Sequence, residues 1–274
     1  MMLEKFGKKS LVITDIDPDA LDKFIDVDLY TVDLCGVNGD PIYHKNFIEL
    51  IRVVKKRSKF ITIMTNGSYR TKKWWNRLTD ELSELDNIIF SIDGIPENFT
   101  EYRVNADWES MLIGIQECVK SSVQTTWKYI PFSFNEYDID KARKLSIELG
   151  FDNFDVTYSD RWEENDWLKP KNLDFRIESE IVKNDFKNNK QKDFEIDPEC
   201  KSKNMHYVNA SGYYMPCCYV GDFRFYYKSP WWKNKENYNI KKSTLSSQID
   251  NFNIFFETIH TDKPDYCIFN CGKC

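Results

Sequence analysis

Two periodicities of apolar and polar positions alternate from about residue 29 to residue 160. Leu29-Tyr30-Thr31-Val32-Asp33-Leu34-Cys35 is a strand-like run, stopped by Gly36 to Pro41, a stretch whose glycines and proline read as a loop. Asn46 to Lys56 has helical spacing, with Phe47, Leu50, Ile51 and Val54 on one face. Phe60 to Met64 predicts a second strand, ending in Thr65-Asn66-Gly67-Ser68. A helix follows from about Thr71 to Leu85, then a third strand over Ile88 to Ile92 that ends in Asp93-Gly94. A helix from about Asp107 to Lys120 leads to a fourth strand over Thr125 to Phe132. A helix over Ile139 to Leu149 and a fifth strand over Asn153 to Tyr158 complete the series, near Ser159-Asp160. Ahead of all of them, Asp17 to Ile25 predicts a short helix with an acidic, proline-containing start.

Apolar strands alternating with helices are the signature of a parallel sheet built from βα units. The expected fold class is α/β, an open, partial (βα) barrel of five parallel strands over about residues 29–160. In barrels of this kind the active site sits at the C-terminal ends of the strands. Here those ends are small or polar: Gly36 to Pro41, Thr65 to Ser68, Asp93-Gly94 and Ser159-Asp160. Each alone is ordinary turn chemistry, whereas the set at one rim points to a ligand site.

Beyond residue 160 the pattern changes. Residues 161–198 are rich in Lys, Asp, Glu and Asn and read as a mobile connector or a loosely packed helix. The last third holds six of the eight cysteines: Cys200, Cys217 and Cys218, then Cys267, Cys271 and Cys274. Thiolates are the ligands of zinc and of iron–sulfur clusters, and close pairs and trios let short loops present several sulfurs to one site. The turn Ser211 to Pro216 lies between Cys200 and Cys217, as in a hairpin that folds the two together. Disulfides and scattered buried thiols are the alternatives; the clustered spacing favours a metal or cluster site. Leu245 to Ile259 predicts an amphipathic helix between the two cysteine groups. The expected division is a barrel over 1–160, a charged connector over 161–198 and a cysteine module over 199–274.

The net charge of −6 argues against general nucleic-acid binding, which would place a basic surface on the chain. Runs such as Lys55-Lys56-Arg57 read as solvated faces. No apolar run reaches membrane-spanning length, so no membrane partner is expected. Met1-Met2-Leu3-Glu4-Lys5 is unlike a signal peptide, and the reducing cytoplasm is the expected compartment.

Several stretches resemble a known family. Asn38-Gly39-Asp40-Pro41-Ile42-Tyr43-His44-Lys45-Asn46-Phe47 resembles the GGEPL-x-HPDF stretch of radical S-adenosylmethionine (SAM) enzymes. Thr65-Asn66-Gly67 resembles their TNG, and Phe90-Ser91-Ile92-Asp93-Gly94 with Tyr102-Arg103 resembles their SIDG…R stretch. Cys200-x11-Gly212-x4-Cys217, followed by the terminal trio, resembles the SPASM or twitch module that holds an auxiliary [4Fe–4S] cluster. The set runs in the family's order over nearly the whole chain.

The resemblance implies a SAM site. Asn38, Gly39, Asp40 and Pro41 match the loop that takes the amino group, and Ser91, Asp93 and Arg103 match the positions that contact ribose and carboxylate. Arg103 suits a carboxylate because its planar fork can meet two oxygens, whereas Asp40 could equally cap the helix that follows. It also implies an auxiliary [4Fe–4S] cluster on ligands drawn from Cys200, Cys217, Cys267, Cys271 and Cys274, with zinc as the competing occupant. The implied reaction is reductive cleavage of SAM to a 5′-deoxyadenosyl radical that abstracts hydrogen from a peptide or small-molecule substrate, with a reductant protein as partner. The family's defining C-x3-C-x2-C loop belongs before the GGEP-like stretch, yet no cysteine precedes Cys35. A truncated or split reading frame, a degenerate relative, and use of Cys267-x3-Cys271-x2-Cys274 for SAM chelation are the open explanations. The alternative function is a non-catalytic scaffold around a metal or cluster.

Overall fold

A computed structural model describes residues 15–36, 39–159, 166–175, 195–198, 202, 204–215, 217, 233–258, 267 and 271–273. The chain divides into two compact units, one within Asp28–Phe194 and the other joining the described residues before Asp28 to those of Glu195–Lys273. Helix α1 (Pro18–Phe24), capped by the Asp17 side chain, belongs to the second.

The first unit is the parallel sheet that the periodicity predicts. Strands β1 (Leu29–Leu34), β2 (Ser58–Thr65), β3 (Asn87–Ser91), β4 (Gln124–Tyr129) and β5 (Asn153–Val156) pair in sequence order. Every pairing is parallel. Helices α2 (Phe47–Lys55), α3 (Lys72–Thr79), α4 (Trp108–Val119) and α5 (Ile139–Leu149) form the crossovers. This is the sequential βα order of a partial barrel.

Register sorts the strand residues onto two faces. One face carries Ile61, Ile63, Thr65, Ile88, Phe90, Thr125, Trp127 and Tyr129, all buried. Trp75 of α3 meets Phe90 at 5.8 Å between ring centroids, and Trp108 of α4 meets Trp127 at 6.4 Å. Gly114 makes the α3–α4 approach possible, because a Cβ there would lie 2.7 Å from the Trp75 indole. The other face carries Thr31, Asp33, Thr62, Asn87, Ser91, Lys128 and Asp155, with Phe60, Met64 and Ile89 among them, all half-buried or exposed, and Thr126, which is buried. An all-parallel sheet normally covers both faces; here one is apolar and covered, the other polar.

Element boundaries shift where a side chain captures the backbone. Helix α3 ends at Thr79, well short of Leu85. Just before β3, the buried Asp86 carboxylate accepts hydrogen bonds from Ser83 N (2.8 Å), Ser83 Oγ (2.9 Å) and Ile61 N (2.8 Å) and pairs with Lys55 Nζ at 2.6 Å. That knot holds residues 83–86 in a turn. Strand β4 stops at Tyr129 rather than Phe132. There Asn135, fully buried, accepts from Phe132 N at 2.6 Å and donates to Ile130 O at 3.1 Å, while Pro131 has no N–H to offer a neighbour.

In the second unit, β6 (Glu195–Ile196) pairs antiparallel with β9 (Gly272–Lys273), and β7 (Tyr207–Val208) with β8 (Tyr214–Met215). The β7–β8 turn is the hairpin expected around Gly212, which sits at φ +77°, with the Asn209 side chain accepting from Ser211 N and Tyr213 N. Tyr214 is fully buried between Phe24 of α1 and Phe252 of α6 (Leu245–Thr258), at 6.2 and 5.8 Å. Asp26 accepts hydrogen bonds from Ser246 N (2.9 Å) and Ser246 Oγ, tying the end of α1 to the first turn of α6. Much of the expected connector lies outside the described residues; its 166–172 part packs against the loop after β4, with Ser133 N donating to Leu168 O and Asn172 N to Glu136 Oε2.

Candidate functional site

Strand direction places the loops after β1, β2, β3 and β4 at one edge of the sheet. Asp40 begins the short 3₁₀ helix Pro41–Tyr43 and caps it, Oδ1 accepting from Ile42 N at 3.2 Å. Its Oδ2 reaches across to the end of β2, where it accepts from Asn66 N (2.6 Å) and Thr65 Oγ1 (2.9 Å). Asp40 therefore has the capping role that sequence allows, and it fastens two rim loops together. Burial pushes its carboxyl above the ordinary range, against the pull of those hydrogen bonds and of the Arg103 charge. A second fastening went unnoticed in the sequence: Arg70, at φ +86°, donates from Nε to Ile42 O (2.6 Å) and from Nη2 to His44 O (2.9 Å). Its guanidinium lies 4.8 Å from the centroids of both the Tyr69 and Trp74 rings.

At the end of β3, Asp93 is wholly buried. Its Oδ1 takes the place of a backbone carbonyl and accepts from Ile130 N at 3.2 Å, continuing the β3–β4 ladder past Ser91. Its Oδ2 meets Arg103 Nε at 3.0 Å and Nη2 at 2.8 Å. Burial raises the Asp93 carboxyl; the charge of Arg103 opposes this most, with a smaller contribution from Lys128. The structure thus brings Asp93 and Arg103 together and sets Ser91 one turn of the pleat below. Gly39 and Pro41 flank Asp40 on the loop after β1, and Asn38 lies outside the described residues.

The donors left over decide what this rim can hold. Arg103 commits Nε and Nη2 to Asp93, which leaves both Nη1 hydrogens uncommitted among the described residues. Ser68 Oγ, after β2, is buried with no partner among the described residues. Asp40 accepts three hydrogen bonds where a carboxylate offers about four lone-pair sites. An arginine edge for a carboxylate, hydroxyls for a ribose and an acceptor for an ammonium fit the functional groups of SAM. Lys128 also lies on the polar face, in register between Ser91 and Asp155. Its signal in the sequence is a lysine inside the strand predicted over Thr125 to Phe132.

Of the five expected metal ligands, Cys217 follows the hairpin and is buried, Cys267 is buried and Cys271 is half-buried; all three belong to the second unit. Asp197 N donates to Cys271 O at 3.0 Å beside the β6–β9 pair. Among the described residues no three His, Cys, Asp or Glu side chains gather into a group that could hold a metal ion. Cys200 and Cys274 lie outside the described residues. Among the described residues no helix is long and apolar enough to cross a membrane.

No family model and no curated protein matches the chain. Solved structures do. SuiB from Streptococcus suis bound to S-adenosylmethionine matches 74% of this chain and 56% of its own, at 15% identity and a TM-score of 0.50. Native anSMEcpe with bound AdoMet and Kp18Cys peptide matches 87% of this chain and 73% of its own, at 15% identity and a TM-score of 0.53. The chain spans little more than half the length of SuiB. At such identities the likeness is one of fold: over the matched residues the chain shares the fold of these two structures.

Proposed function

We propose that the chain binds SAM at the strand-end rim and acts, as radical SAM enzymes do, on a peptide or small-molecule substrate laid against the polar face of the sheet. The observation that carries this reading is the uncommitted Arg103 edge, beside the buried Asp93, on a sheet whose open face is polar. Arg103 would hold the carboxylate of SAM, its position fixed by Asp93. Asp40 and the loop after β1 would meet the ammonium. Ser91 would face the ribose. Held by these residues, SAM would supply hydrogen-abstraction chemistry toward substrate, given an electron from an iron–sulfur cluster. The protein's part is to orient SAM, keep the Asp93–Arg103 pair dry and exclude water from the polar face.

The ligands for an auxiliary [4Fe–4S] cluster would be Cys200, Cys217, Cys267, Cys271 and Cys274, with zinc as the other occupant. Supporting convergence, the β6–β9 pair and the Asp197–Cys271 hydrogen bond tether the chain just ahead of Cys200 to the terminal cysteines. A reductant protein would be the partner, in the cytoplasm.

A second reading is a non-catalytic metal- or cluster-binding scaffold, built on the cysteines of the second unit. Calorimetry with SAM on anaerobically purified protein tests binding, and Asp40→Ala and Arg103→Ala are expected to weaken it; unchanged affinity in both refutes the assignment. Iron and sulfide content, and 5′-deoxyadenosine released on reduction, separate enzyme from scaffold. One zinc without sulfide, or SAM bound but never cleaved, favours the scaffold.

A further inference from the structure

We infer that Lys128 makes the polar face selective for a substrate bearing a carboxylate, an inference that rests on this face being where substrate lies. Lys128 projects from mid-sheet on β4, half-buried, with Ser91 in register on β3 and Asp155 on β5. A lysine side chain is rarely placed there without a partner, since a half-buried ammonium loses part of its hydration and needs acceptors in return.

Among the described residues no acceptor is supplied. Among the described residues its ammonium makes no hydrogen bond and no ion pair. Asp93, whose charge it does feel, is already occupied by Arg103 and by Ile130 N. Asp155 is exposed and accepts instead from Thr157 Oγ1 at 3.2 Å. Two cations, Arg103 and Lys128, thus flank one buried carboxylate. SAM brings a single carboxylate, and Arg103 answers it. The second cation, one strand further toward β5, is left for an anion on the other bound molecule. A carboxylate suits a lysine at that place, because the flexible ammonium can follow it.

Three probes test this on the full-length protein, by fluorescence or NMR titration: acetyl-Gly-Glu-Gly-amide, acetyl-Gly-Gln-Gly-amide, and acetyl-Gly-Gln-Gly with a free C-terminal carboxylate. The acidic peptides are expected to bind about tenfold or more tightly than the neutral amide, the loss of one charge-assisted hydrogen bond. Preference for the Glu peptide assigns the carboxylate to a side chain; preference for the free acid assigns it to a chain terminus. Lys128→Met should abolish the preference and Lys128→Arg should restore most of it. Equal binding of all three, no binding of any, or a preference that survives Lys128→Met overturns the inference. A Lys128→Met protein that loses SAM affinity instead also overturns it, since Lys128 would then serve the cofactor. Calorimetry with SAM on the wild type is read separately: if SAM fails to bind while the peptides still discriminate, the SAM reading falls and the carboxylate site stands.

Discussion

Replacing Arg103 with methionine isolates the value of the Asp93–Arg103 pair. The side chain of Asp93 is 0% exposed and that of Arg103 28% exposed. Methionine keeps most of the arginine stem's packing but takes away both contacts to Oδ2, leaving Asp93 with Ile130 N as its one direct donor among the described residues. Breaking a fully buried pair costs about 3–5 kcal/mol, and the partial exposure of Arg103 lowers the expectation to roughly 2–3 kcal/mol. The cost has a pH signature. Burial already raises the Asp93 carboxyl, and removing the opposing Arg103 charge raises it further. A carboxyl with a raised folded value binds its proton more tightly in the native state than in the unfolded one. Stability is then lost as pH rises through the folded value and regained as pH falls. The deficit of Arg103→Met should therefore be largest at neutral pH and shrink toward acid. Asp93→Asn combined with Arg103→Met should recover most of it, because the buried charge is gone and the amide oxygen can still accept from Ile130 N. Urea denaturation followed by tryptophan fluorescence measures this, with buried Trp127, bonded to Ile92 O at 2.9 Å, reporting close to the pair. A deficit below about 0.5 kcal/mol, the range of ordinary surface substitutions, or a double variant no better than the single, would refute the reasoning.

Two further outcomes follow from the same unit. Gly67→Ala should destabilise by roughly 2 kcal/mol or more in thermal melts, since Gly67 sits at φ +73° and a Cβ would lie 2.8 Å from the Phe90 ring. Phe90 is fully buried against Trp75 and Phe151 and cannot give way, so a neutral substitution would contradict the packing described. Asp86 is buried, which raises its carboxyl, but hydrogen bonds from Lys55, Ser83 and Ile61 outweigh burial and hold it below its ordinary value of 3.8. Its stabilisation is present above that value and lost as pH falls through the depressed folded one. Asp86→Asn should lower stability at neutral pH by roughly 2–4 kcal/mol and flatten the acid limb of the stability profile, and an unchanged acid limb would sink that account.

The strands, their order and their parallel pairing were legible in the sequence, because a period of 2 and a period of 3.6 leave different marks and five apolar runs separated by helical spacing have few other solutions. The hairpin around Gly212 was legible for the same local reason: only turn chemistry fits there. The rim was legible as composition, in Asp40, Thr65-Asn66-Gly67 and Asp93-Gly94. What those residues do to one another was not. The Asp40 link to the end of β2, the Arg70 clamp on the loop after β1 and the Asp93–Arg103 pair join residues 10 to 28 positions apart, or reach from one loop to the next. No periodicity encodes such partners. The early stops of α3 and β4 belong here too, since Asp86 and Asn135 win backbone groups that propensity alone assigns to the helix and the strand. The placement of α1 with the C-terminal unit depends on Phe24, Asp26, Tyr214 and Ser246, more than 180 residues apart in the chain. Lys128 lies between the two cases. Its charge stood in plain view inside an apolar run, but only the register of β3, β4 and β5 decides which face it occupies. Sequence determines what each segment can form locally; which side chains then meet is set by burial and distance, which exist only once the chain is folded.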